Sequence, residues 1–360
     1  MFFNEALWVI HPQWQIDHNI EIDSTTFLSP HYTQATLILK SPLRPGIIYT
    51  LELGDSVCDC VGNKMQSGQQ FPFGLPDQNA CKHLIINEVL SNPFEDSDGD
   101  FIEIYNPTES IVDLGKVLMG TGYGELPDNT TPVVADGFLL FPKMHVAICK
   151  NRALTLAQYN PRCPQQVVEN INLPALPNDK GCIHLLNNTL QTIDRFLYDK
   201  SMHYSQLTST DGVSLERIHF EGETQDGTNW TSASASCGWA TPGYLNSQHS
   251  NEEAGDESFH IVPEVFSPDG DGHEDFAEIF CKFPTNGCRA SIRIYNSEGL
   301  LINQLTNNQF CGMEERFRWD GQTNDNRASG NGIYIVKLEY WNDDGKREVK
   351  RKVVTLVRRL

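Results

Sequence analysis

The stretch "FRWDGQTNDNRASGNGIYIVKLEY", Phe317 to Tyr340, decides the fold. It opens on aromatic residues, breaks at Trp319-Asp320-Gly321 into a polar run rich in Asn, Asp and Gly, and resumes at Gly332 with apolar residues at alternate positions. Alternation with period two marks a half-buried strand, and clusters of Gly, Asn and Asp mark the turns between strands. The same pattern recurs in "TLILKSPLRPGIIYTLEL" from Thr36, "DFIEIYNP" from Asp100, "KMHVAICK" from Lys143 and "SIRIYNSEGLLINQL" from Ser291. Only "NRALTLAQYN", Asn151 to Asn160, reads as a helix. The expectation is an all-β chain of sandwich-like domains.

At 360 residues the chain has room for two or three such domains, and we expect three. A net charge of −20 with 39% hydrophobic residues describes an acidic globular protein and argues against nucleic acid as a partner, because phosphate binding needs a basic surface. The exception is the C-terminal "KREVKRKVVTLVRRL", where Lys346, Arg347, Lys350, Arg351, Lys352, Arg358 and Arg359 face a single acid, Glu348. It reads as a solvated strand at the end of a sheet. No apolar run approaches the ~20 residues of a transmembrane helix. "MFFNEALWVIHPQW" lacks the features of a signal peptide, so the N-terminus is expected to be incomplete or the protein cytoplasmic. Ten cysteines without paired CxxC spacing favour an exported protein carrying some disulfides, their pairing open.

Composition shifts place the boundaries. "SQHSNEEAGDES", Ser247 to Ser258, is polar and acidic and reads as a linker, and "FGLPDQNA" around Pro76 is a second break. The expected division is 1–75, 82–246, a linker over 247–259, and 260–360. No fixed-period repeat links the three segments.

Each segment resembles a known family. "GIIYTLELGDSVCDCVGNKM" resembles the closing strands of bacterial Ig-like domains, with Asp59 and Gly62-Asn63 as a "D-x-x-G-N" turn and the first strand of the domain missing. In the middle segment, "IINEVLSNP", "DFIEIYNPTESIVDLGKVLM", "GCIHLLNNTLQTIDRFLY", "DGVSLERI" and "NWTSASASCGWATPGYLN" follow in the order found in bacterial lamin-tail domains. That resemblance implies an Ig-like sandwich acting as a binding or scaffold module, with Trp230 and Trp239 supplying apolar surface. The last segment carries "FSPDGDGHEDFAEI", an "IYN-x-x-G" hairpin, the "WDG" turn, a "G-x-Y" strand and a Lys-rich final strand. It resembles the C-terminal domains of exported Bacteroidetes proteins, related to flagellar hook-capping Ig-like domains and to type IX secretion and gliding-motility sorting domains. Together these imply three Ig-like β-sandwich domains in series, with outer-membrane export machinery as a partner of the last.

Two acidic loops are candidate metal sites. "EDSDGDFIE" spaces Asp96, Asp98 and Asp100 alternately, with Glu103 three further on, and "SPDGDGHED" gathers Asp269, Asp271 and Asp275. Carboxylates around a glycine turn suit Ca2+, which takes six to eight oxygens, and suit equally well the capping of turn amides. Neither loop matches the EF-hand spacing. No Walker A, HExxH, GxSxG or dinucleotide fingerprint occurs, and the histidines are scattered. The expected function is therefore a non-catalytic secreted or surface protein with an unidentified extracellular ligand, Ca2+ as its one candidate cofactor and no transmembrane segment. The alternative is the accessory C-terminal portion of a larger secreted hydrolase whose catalytic domain lies upstream.

Overall fold

A computed structural model of the chain describes residues 6–9, 14–29, 31–54, 57–59, 61, 63–64, 68–77, 79–94, 98–250, 258–342 and 345–358. Residues 1–5, Cys60, Gly62, Asp96 and the 251–257 stretch of the expected linker lie outside the described residues. The chain is all-β as expected, with 43% of residues in strands and one α-helix among the described residues. It forms two compact units, one comprising residues 1–84, 106–117 and 134–144, the other 85–105, 118–133 and 145–360.

In the first unit, Trp14–Ile16, Tyr49–Leu53 and Gln69–Phe73 form an antiparallel sheet, and Ile22–Phe27 pairs with Ala35–Leu39. Alternate residues Tyr49, Leu51 and Leu53 turn inward to meet Trp14, Ile16 and Ala35, the burial that the sequence alternation implied. The Asp59 carboxylate accepts from the Val61 and Asn63 amides at 2.9 and 2.8 Å, so the first residue of the expected turn motif organises its own turn.

The second unit contains a six-stranded sheet. Its inner strands are β1 (Ile85–Leu90), β2 (Phe101–Tyr105), β3 (His145–Cys149) and β4 (Leu215–Arg217), ordered β3-β2-β1-β4 and flanked by Val167–Glu169 and Trp230–Ser232. Every residue of β2 and β3 is buried, so both faces of the sheet are covered. Trp230 is buried and stacks on Phe196, ring centroids 3.8 Å apart. The expected helix is α1 (Arg152–Tyr159). Asn151 caps it, accepting from the Leu154 amide at 3.0 Å, and Asn160 ends it in the left-handed region at φ 42°.

The same unit ends in a β-sandwich. One sheet joins Ser258–Val262, β5 (Ala277–Lys282) and a later strand, and the other is built from β6 (Arg289–Asn296) and β7 (Leu301–Phe310) onward. After β7 the chain crosses to the first sheet as β8 (Glu314–Trp319) and returns as β9 (Gly332–Trp341) and β10 (Arg347–Leu356), giving the order β10-β9-β6-β7 with Val265–Phe266 beside β10. Ile279, Cys281 and Trp319 from one sheet pack against Ile292, Ile294, Val336, Leu338 and Val354 from the other. The "WDG" turn follows Trp319, whose indole N–H donates to the Gln322 carbonyl at 2.9 Å. Gly321 sits at φ 74°, and a Cβ there would come within 2.5 Å of Leu356, so both conformation and space require glycine. Val265–Phe266 pairs only with Thr355 and Leu356, which leaves most of β10 along an edge with Arg347, Arg351 and Lys352 exposed. The basic strand is thus solvated at Arg347, Arg351 and Lys352 as anticipated, whereas the half-buried Arg358 donates to the Pro268 carbonyl at 2.8 Å and Arg359 lies outside the described residues.

One expectation is corrected. Ser247 and Gln248, at the start of the expected linker, are built into the fold: Gln248 is buried, its side-chain amide donates to the Cys311 carbonyl at 3.2 Å, and the Ser247 carbonyl accepts from the Met313 amide at 2.9 Å. Among the described cysteines, Cys149, Cys163, Cys182, Cys237, Cys281 and Cys311 carry thiols in this structure. Cys149, Cys182, Cys281 and Cys311 are buried and serve as small apolar core residues. Burial pushes the Cys281 thiol up to about 12.

Trp319→Ala removes the largest buried side chain of the sandwich. It is expected to destabilise the chain by ~3–5 kcal/mol in denaturant titration, because the cavity cannot fully collapse. A loss below 1 kcal/mol would contradict its placement.

Candidate functional site

Three buried glutamates stand in a row across the six-stranded sheet. Glu216 of β4 pairs with Glu88 of β1, which pairs with Glu103 of β2, so the three carboxylates share one face on adjacent strands. All three are fully buried. Like charges directly opposite one another in a sheet repel, and buried carboxylates are costly unless hydrogen-bonded.

The backbone donors come from Thr241 to Gln248, which lies against the row. Glu88 accepts from the Thr241 amide at 2.8 Å and from the Ser214 hydroxyl at 2.5 Å. Glu103 accepts from the Gly243 amide at 2.6 Å and the Asn87 side-chain amide at 2.8 Å, with His145 Nδ1 at 2.9 Å. Glu216 accepts from the Gln248 amide and the Ser247 hydroxyl, both at 2.8 Å. Gly243 holds φ 86°, with room for no Cβ against Gln166, which explains the glycine of "TPG".

The Thr241 hydroxyl lies 3.2 Å from Glu88 and 2.8 Å from Glu216, yet it has one hydrogen to donate. A carboxyl proton therefore serves the other contact. Burial, followed by the neighbouring charges of Glu103 and Glu216, raises Glu88 well above the usual carboxylate range, and burial pushes Glu216 up to about 7. The row is a holding device that fastens a returning chain segment to the sheet. Sequence reading passed over it, although the signal was there: in "INEVL", "FIEI" and "SLERI" an acid interrupts an apolar strand.

The first acidic loop does not assemble. Asp96 lies outside the described residues, Asp98 is exposed, and Asp100 is buried with Lys150 at 3.8 Å. Burial pushes the Asp100 carboxyl up to about 6. Asp98, Asp100 and Glu103 are not gathered as ligands among the described residues. Asp100 and Glu103 are an odd number of residues apart at the head of an extended strand, which sends them to opposite faces, and Glu103 is consumed by the row.

The second loop does assemble. Oxygens of Asp269, Asp271 and Asp275 lie within 4.8 Å of one another, with Asp269 and Asp271 exposed. Asp275 accepts from the Gly270 and Gly272 amides at 2.6 and 2.8 Å, which hold its carboxyl below the usual range. Asp271 accepts from the His273 amide at 2.8 Å. Each carboxylate keeps lone pairs beyond these bonds, so the all-oxygen donor set suits a hard divalent cation such as Ca2+ while also serving the turn.

A cleft of about 1000 Å³ in the second unit is lined by Arg162, Tyr244, His260, Phe280, Glu315 and Arg316 among others. Arg162 lies 5.2 Å from the Tyr244 ring and Arg316 4.9 Å from that of Phe280, so cations and aromatic faces alternate on its wall.

Residues 260–356 match the CHU_C type IX secretion signal domain, the segment that folds as the terminal sandwich. The chain therefore carries a C-terminal export signal and belongs at the cell surface or in the extracellular space. Similar solved structures include PorZ, described as an essential bacterial surface component of the type IX secretion system of Porphyromonas gingivalis, at 12% identity over 86% of this chain and 43% of that one, TM-score 0.23. Dimeric latent PorU from the same organism matches at 11% identity over 90% of this chain and 25% of that one, TM-score 0.23. FlgD from P. aeruginosa matches at 19% identity over 28% of this chain and 68% of that one, TM-score 0.21. The chain spans less than half the length of PorZ and of PorU. No curated protein matches the chain significantly. No helix among the described residues is long and apolar enough to cross a membrane.

The glutamate row carries a pH signature. Glu216 is raised in the folded state, so its contribution is fully present below its unfolded value near pH 4.5 and is lost as pH rises through about 7. Glu216→Gln should therefore gain stability relative to the wild type between pH 5 and pH 8 in thermal melts. A wild-type-to-variant difference that stays constant over that range would contradict the assignment.

Proposed function

We propose that this chain is a non-catalytic β-sandwich protein of the cell surface or secreted fraction, in which a lamin-tail-type module presents a binding face and the terminal Ig-like domain is the part that the export machinery reads. The observation that carries this reading is the match of residues 260–356 to a type IX secretion signal domain. The glutamate row supports the non-catalytic assignment, since its carboxylates are spent on backbone amides and hydroxyls of their own fold. The cleft lined by Arg162 and Tyr244 of the lamin-tail-type module and by Phe280 and Arg316 of the terminal domain is the proposed binding face, and its cations beside aromatic rings favour a ligand bearing carboxylates or hydroxyls. The Asp269 loop is proposed to bind Ca2+ as a structural ion at the start of the signal domain.

Removing residues 260–360 should leave the product inside a host that has type IX machinery, read by fractionation and immunoblotting. Export at wild-type level would overturn the role given to the last domain. For calcium, a rise in melting midpoint is expected on titration, equivalent to about 2.7 kcal/mol when free ion exceeds Kd a hundredfold. Asp271→Asn should abolish that rise, and identical wild-type melts in calcium and in chelator would remove the ion from this account.

A further inference from the structure

The terminal sandwich places two cysteines opposite each other where its chain turns from one sheet to the other. β6 begins at Arg289, which pairs with Phe310 at the end of β7, so the next residues outward, Cys288 and Cys311, face each other across the ladder. The Cys311 amide donates to the Cys288 carbonyl at 2.9 Å, one of the two bonds of a hydrogen-bonded antiparallel pair. Both side chains enter the same sandwich core, and both residues are fully buried. Cα atoms of such a pair stand about 5.5 Å apart, inside the range a disulfide spans.

We propose that Cys288 and Cys311 are joined by a disulfide formed during export, and that this cross-link is the modification the signal domain acquires outside the cytoplasm. In the thiol form each sulfur points along its own chain, Cys288 to the Thr285 carbonyl at 3.2 Å and Cys311 to the Gln309 carbonyl at 3.3 Å. Rotation about each Cα–Cβ bond moves a sulfur without breaking the backbone hydrogen bond. The oxidant is a disulfide donor of the oxidising compartment into which the chain is exported. One cysteine thiolate attacks a donor sulfur, forming a mixed disulfide and releasing one donor thiolate. The second cysteine thiolate then attacks the protein sulfur of that bond and releases the other donor thiolate. The two cysteines lose two protons and two electrons, and the donor disulfide becomes two thiols. Because both residues are fully buried, the exchange takes place before β6 and β7 close over them.

The link has a structural purpose. It closes the chain from 288 to 311, which contains the whole β6–β7 hairpin, at the corner leading into β8. Phe310, beside Cys311, lies against Tyr204 with centroids 4.4 Å apart and stacks on Trp239 at 6.3 Å, so the cross-link also fixes the element on which the middle segment rests. Cys281 of β5 belongs to the same core and is the competing partner.

The test refolds the full chain from denaturant in a mixture of oxidised and reduced glutathione, blocks thiols with iodoacetamide, and maps a non-reduced digest by mass spectrometry. A peptide joining Cys288 to Cys311 is expected, kept in Cys281→Ala and absent in Cys311→Ala. The oxidised wild type should melt roughly 5 °C above the reduced form, from the loop entropy removed. A Cys281–Cys311 peptide, or alkylation of both Cys288 and Cys311 after oxidative refolding, overturns the proposal. The experiment is independent of export, so its failure and failure of the sorting role are separately visible.

Discussion

The structure of the second unit depends on three buried carboxyl groups that share one face of its sheet. Glu216, Glu88 and Glu103 lie side by side on one buried face, and the solvation they lose is replaced by the amides of Thr241, Gly243 and Gln248. Charge-assisted bonds of this kind are worth more than neutral ones, and an acceptor left unpaired at this depth costs several kcal/mol. The row therefore acts in both directions: the returning segment is held because the acids need donors, and the acids are tolerated because the segment supplies them. Because the same segment continues through Ser247 and Gln248 to bonds with Met313 and Cys311, the row also sets where the terminal sandwich begins.

The fold was legible wherever apolar residues alternate. Tyr49, Leu51 and Leu53 turn inward as their spacing implies, β9 buries every second residue from Tyr334, and the single helix runs between the two asparagines that bound it. Legibility failed where burial was on both faces. In β1 and β2 no polar face remains to give contrast, so Glu88 and Glu103 look like surface residues of strands that in fact lie inside. The linker failed for a related reason. "SQHS" is polar because its side chains and backbone bind an acid row and a neighbouring sandwich, and composition alone does not separate that from solvation.

The two acidic loops show how much depends on backbone conformation. Both place three aspartates near glycines, and their compositions differ little. Around Asp269 the chain turns tightly enough for carboxylates four and six residues apart to converge. Near Asp100 the chain enters a strand at once, and an extended backbone separates neighbouring side chains to opposite faces. Side-chain spacing in the sequence is the same kind of signal in both, and only the presence of a turn after the first aspartate converts it into a cluster.

The edge strand β10 has a consequence for how two copies of the chain meet. An exposed strand edge is a template for pairing with the same edge of another chain. Here Arg347, Arg351 and Lys352 lie along that edge while the rest of the chain is strongly acidic. Two copies approaching edge to edge would bring these cations together before any ladder hydrogen bond could form. The cationic edge therefore works against edge-to-edge pairing of two copies.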